Sequence, residues 1–87
     1  MPIDLAKIQE VARASLMPDF FAVRIDEEGL FGGLKQLISR IRLPDPQMDR
    51  IKQLSAAAAT ATDFIEAVKR ENLFTPMRAI LIKLPVA

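Results

Sequence analysis

Histidine, cysteine, tryptophan and tyrosine are all missing from these 87 residues. Without cysteine there are no disulfides and no thiolate metal sites, and the redox compartment leaves no trace. Without histidine the chain lacks the commonest general base, the commonest metal ligand and the usual form of the serine triad. Phe20, Phe21, Phe31, Phe64 and Phe74 are the whole aromatic content. That leaves little with which to stack nucleic-acid bases. No apolar run nears the roughly 18 residues that a simple membrane span needs. The opening MPIDLAKIQE carries acids early and no apolar core, so no signal peptide is expected. The expected location is the cytoplasm or the inside of a virus-like particle.

The remaining groups give catalysis little to work with. Ser15, Ser39 and Ser55 have no histidine to activate them. Asp45 and Asp49 are four apart at a helix start, where acids are favoured on electrostatic grounds alone. Asp26-Glu27-Glu28 lacks the ligand spacing of a calcium loop and reads as a solvated turn. Gly29-Leu30-Phe31-Gly32-Gly33 is not followed by the Gly-Lys-Ser/Thr of a phosphate loop. No enzyme activity, cofactor, metal or small-molecule substrate is therefore expected.

What is present is apolar surface. Hydrophobic residues make up 51% of the chain, while a chain of this size forms one small domain, residues 1–87, that buries roughly 60–65% of its unfolded surface. Some of the excess is expected to face a protein partner, a second copy or lipid. Net charge is only +1, which argues against nucleic acid. Lys35, Arg40, Arg42, Arg50 and Lys52 could line one basic edge, but Asp45 and Asp49 interrupt it. Residues 1–28 carry three basic and six acidic side chains, and residues 29–87 carry nine basic and five acidic. Such a division suits head-to-tail complementarity between copies.

The periodicity predicts a mainly α fold of three to four helices, with short β segments at 20–25 and 78–84 as the open alternative. A first helix is expected from about Asp4 to Leu16, capped by Asp4, with Leu5, Ile8, Val11, Ala12 and Leu16 on its apolar side. Phe20 to Ile25 alternates and is rich in β-branched and aromatic residues, which favours a strand. Leu30, Phe31, Leu34, Leu37, Ile38 and Ile41 share one face of a second helix, 30–42, and Lys35, Arg40 and Arg42 form its basic face.

Leu43-Pro44-Asp45-Pro46 then opens a third helix, with Asp45 as cap and Pro46 at the first position. One helix is expected from Pro46 to about Glu71, about 39 Å long at the α-helical rise. Ile51, Leu54, Ala58, Ala61, Ile65 and Val68 follow a heptad seam with small residues at its middle. Ile80, Leu81 and Leu84 belong to an apolar C-terminal segment that must dock.

Residues 29–41, GLFGGLKQLISRI, resemble short amphibian-type antimicrobial peptides and, in their first residues, viral fusion peptides. That resemblance implies a segment able to lie at a lipid interface. Here it is internal and follows three acids.

The expected function is that of a non-enzymatic structural or interaction subunit of a larger assembly, such as a minor virus or phage particle. It would dock through its amphipathic helices and C-terminal segment. Truncating residues 77–87 is then expected to abolish incorporation and leave helix content largely intact. One alternative is a peripheral membrane protein that places helix 30–42 on an anionic membrane surface. Another is an assembly chaperone or adaptor.

Overall fold

The computed structural model describes residues 3–85 of the chain. Among them are six helices and no strand: α1 Leu5–Ala14, α2 Pro18–Glu27, α3 Phe31–Arg40, α4 Pro46–Ala57, α5 Ala61–Arg70 and α6 Phe74–Lys83. Met1, Pro2, Val86 and Ala87, the ends of the opening decapeptide and of the C-terminal segment, lie outside the described residues.

Mainly α is right, and the helix count and the β segments are corrected. In α2, Pro18 occupies the first turn, where its fixed φ suits a helix. Phe21, Ala22 and Ile25 are buried at helical spacing, while Val23 is half exposed. A strand would have put Val23 with Phe21 and Ile25. Residues 78–84 likewise belong to α6 and its cap, with Phe74, Met77 and Leu81 buried at helical spacing.

The expected helix from Pro46 to Glu71 is two helices. Ala58 is extended, and the Thr60 hydroxyl accepts from the Asp63 amide at 3.1 Å, which starts α5. An unbroken helix of about 39 Å would overrun a molecule whose largest extent is 26 Å. Breaking it folds the heptad residues into one compact core. Local alanine propensity yields to that packing. The first helix is also shorter than expected. It ends at Ala14, so Leu16 leaves the apolar stripe and is 74% exposed.

The strongest pairings are nested: α1 with α6, α2 with α5, and α3 with α4. They follow from a repeat. Pro18 and Ala61 open α2 and α5, and Phe31 and Phe74 open α3 and α6, both 43 residues apart. At the same offset Ile8 matches Ile51, Phe21 matches Phe64, Ile25 matches Val68, Leu34 matches Met77 and Ile38 matches Leu81, and all ten are buried.

The turns repeat as well. Gly29 (φ 67°) and Asn72 (φ 57°) are equivalent left-handed residues. Each ends its helix with the same pair of bonds: Gly29 N–H to Asp26 and Leu30 N–H to Ile25, then Asn72 N–H to Lys69 and Leu73 N–H to Val68. Phe21 meets Phe74 at 5.6 Å between ring centroids, and Phe64 meets Phe31 at 6.2 Å. Those are the same contact seen twice. Two three-helix units therefore pack about a pseudo-two-fold axis within one chain.

Polar side chains reinforce the crossed pairing. Lys35 Nζ donates to the Ala58 carbonyl at 2.7 Å, closing the end of α4. Its equivalent, Arg78, donates to Ala12 and Arg13 at 2.8 and 3.1 Å, closing the end of α1. These bonds satisfy terminal carbonyls and suit the negative end of a helix.

Candidate functional site

The interaction residues expected from the sequence lie in or against the core. Leu34, Ile38, Ile41, Ile51, Ala58, Ala61, Ile65, Val68 and Leu81 are buried. Leu30, Phe31, Leu37, Leu54, Ile80 and Leu84 are partly buried and pack on them. The apolar stripe of α3 thus faces the chain's own interior, and the heptad seam closes within the molecule. Lys35 of the expected basic face is partly withdrawn, its ammonium held by Ala58 and 5.4 Å from the centroid of the Phe31 ring. Arg40 and Arg42 are exposed.

The C-terminal segment docks on its own chain. Met77 and Leu81 are 2% and 1% exposed. Removing residues 77–87 therefore takes away core, and helix content will not survive it as expected from the sequence.

The exposed large apolar residues are elsewhere. Leu16, Met17, Phe20 and Val23 are 50–74% exposed, and Leu43 is 45% exposed. The first four run from the α1–α2 turn along α2. Met17, Phe20 and Val23 are three apart, so they form a stripe on one side of that helix. Asp26 and Glu27 continue the same side, one turn beyond Val23.

The pseudo-two-fold supplies an internal control for this face. Leu16, Met17, Phe20 and Val23 correspond to Ala59, Thr60, Asp63 and Glu66, which are all exposed. The same backbone positions on the second unit carry small, polar or charged side chains, and that unit forms the same three helices. Packing does not require the apolar residues of the first unit. Scattered exposed leucines are ordinary, but a contiguous patch that the fold does not need calls for another cause.

Ion pairs frame the face. Lys69 Nζ donates to Asp19 at 2.7 Å. That hydrogen bond raises the lysine pKa above its ordinary value. Across the molecule, Arg50 grips both carboxylate oxygens of Glu71 at 2.7 Å. Its hydrogen bond lowers the Glu71 pKa. Asp26, Glu27, Arg40 and Arg42 have no ion-pair partner among the described residues.

An apolar groove of about 350 Å³ lies between the end of α3 and the chain's C-terminal side. Leu5, Leu37, Ile41, Leu43 and Leu84 line it together with Arg40 and Arg42. Among the described residues no cluster of three or more acidic side chains is placed to hold a metal ion. No helix among them is long and apolar enough to cross a membrane.

No family model, curated protein or solved structure matches the chain.

Sequence reasoning missed the Leu16–Val23 face because it assigned Leu16 to the stripe of α1 and Phe20 and Val23 to a strand. The signal was the repeat. Phe21-x₈-Leu30-Phe31 and Phe64-x₈-Leu73-Phe74 align. Buried positions between them stay apolar (Ala22 with Ile65, Ile25 with Val68), while the change from apolar to charged, Val23 to Glu66, falls on the surface.

Proposed function

We propose that this chain is a non-enzymatic interaction subunit of a larger assembly, and that it docks through the face formed by Leu16, Met17, Phe20 and Val23. The observation that carries this reading is the asymmetry between the two units. Apolar side chains occupy exposed positions on one unit whose equivalents on the other are Ala59, Thr60, Asp63 and Glu66. Burying such side chains against a partner contributes roughly 25 cal/mol per Å² of apolar area. A central cluster of this size is enough to anchor an interface. The absence of histidine and cysteine supports a role without catalysis. Inward burial of the α3 stripe lends no support to a membrane role for residues 30–42.

The test uses the native mass of the chain in an extract of cells that produce it. Wild type is expected to elute well above its 9.7 kDa. A fourfold variant, Leu16→Ala, Met17→Thr, Phe20→Asp and Val23→Glu, is expected to elute as the free monomer. Identical elution of the two proteins would refute the reading.

A further inference from the structure

The groove and the Val23 end of the exposed face sit at the two ends of one axis. Asp19, Ala22 and Val23 line a shallow cleft with Thr62, Ile65 and Glu66. These are three pairs related by the 43-residue offset, so that cleft straddles the pseudo-two-fold. The apolar groove contains Ile41 and Leu84, which are also equivalent, so it straddles the axis as well. A single axis leaves a body at two points, and the two clefts share no residue. Val23, at one edge of the exposed face, therefore borders one exit, and the groove forms the other.

We propose that the occupant of the Leu16–Val23 face is the groove of a second copy of this chain, so that copies stack head to tail along the pseudo-two-fold. The inference rests on the docking role proposed above and names its partner. Charge selects this arrangement. Asp26 and Glu27 flank the face, Arg40 and Arg42 flank the groove, and all four lack ion-pair partners among the described residues. Face against groove brings the two acids toward the two arginines. Face against face brings acids toward acids, which disfavours the symmetric dimer.

Phe20 and Val23 are half exposed, and the groove offers them an apolar concavity of about 350 Å³ lined largely by leucine and isoleucine. A stable interface needs about 800 Å² from each partner, the order of one end of a body 26 × 25 × 23 Å. A contact between unlike ends does not close on itself in a pair. Stacked along one axis, it continues into an open filament, whose repeat would be close to the 23–26 Å extents of one molecule.

The chain has no cysteine, so single thiols can be placed at will. Val23→Cys and Leu43→Cys chains, mixed in equal amounts and oxidised, are expected to give the mixed dimer at least tenfold over either like pair. Light scattering on purified wild type should show mass that grows with concentration. Phe20→Asp alone and Leu43→Asp alone should each be monomers, and a mixture of the two should stop at a dimer. Raising the salt from about 0.05 M to about 0.5 M should weaken growth about tenfold, because the flanking charges are exposed. Circular dichroism of each variant checks that it is folded.

Like-pair cross-links through Val23→Cys would overturn the stack in favour of a symmetric dimer. A purified wild type that stays monomeric would overturn it as well. If the same protein is still large in extract, the docking role stands and the partner is a different protein. If it floats instead with anionic lipid vesicles in a way that needs Phe20, the partner is a membrane.

Discussion

The side-chain amide of Gln9 donates to the carbonyl oxygen of Leu84 at 2.7 Å, and also reaches the Leu81 carbonyl at 2.9 Å. Gln9 is 1% exposed, and it ties the first helix to the end of the last. Arg78 returns the favour by closing α1. Donors at 9 and 78 meeting carbonyls at 81–84 and 12–13 show that α1 and α6 run antiparallel. Gln9→Leu strands these carbonyls at the end of α6. The expected loss is about 1–3 kcal/mol, the cost of leaving buried acceptors unmatched, or a Tm lower by roughly 4–8 °C per kcal/mol. Thermal melts followed by circular dichroism measure it.

Ser15 is fully buried, and its hydroxyl finds no hydrogen-bond partner. The equivalent position on the second unit is Ala58, also buried. Ser15→Ala removes an unmatched polar atom and copies a solution the fold already uses. It is expected to raise stability by about 1 kcal/mol. Urea denaturation should show a higher midpoint with an unchanged slope.

Substitutions on adjacent residues of α2 should separate surface from core. Phe20→Asp and Val23→Glu place the residues of the second unit on the first, and each is expected to change stability by no more than about 0.5 kcal/mol. Phe21→Ala opens a cavity beside Phe74 and should cost about 3–5 kcal/mol. Differential scanning fluorimetry with an external dye resolves the two classes in a chain without tryptophan.

Residues 1–44 and 45–87 are expected to complement each other. The main helix pairs, α1 with α6, α2 with α5 and α3 with α4, all cross between the two units. Each fragment alone exposes the inner faces of three helices and should be poorly helical or aggregated, because most helix stability comes from packing. Mixed in equal amounts, they should regain the helical signal of the intact chain. Full helicity of either fragment alone would show that the units do not depend on each other.

Local signals carried the sequence reading where they were strong. Asp4 and Asp45 cap α1 and α4 as their positions predict. The stripe of Leu34, Ile38 and Ile41 was legible as one apolar face, and the fold buries it in the chain's own core. Phe20–Ile25 misled because six residues are too few to separate period 2 from period 3.6 when β-branched and aromatic side chains dominate. Residues 46–71 misled because alanine-rich sequence favours a continuous helix. Thr60-x-x-Asp63 marks a new start only once packing demands a break.

The site was hidden more deeply. A face is recognisable as surplus only against a copy of the same fold that lacks it. That copy is visible when Phe31 is set on Phe74 and Gly29 on Asn72. Few positions are identical between the units, and the core repeats in size and burial rather than in residue type. Ile25 against Val68 and Leu34 against Met77 preserve volume while erasing identity.

The most direct measurement compares two equivalent surface positions in the assembled protein. Leu16→Cys and Ala59→Cys each place one thiol at an exposed, symmetry-related site of a chain that has none. Their rates of alkylation would be measured in native extract and again in denaturant. The docking account predicts equal rates when unfolded and at least tenfold slower labelling at position 16 than at position 59 in the native extract. Equal native rates would mean that nothing covers the apolar face, and would contradict the account.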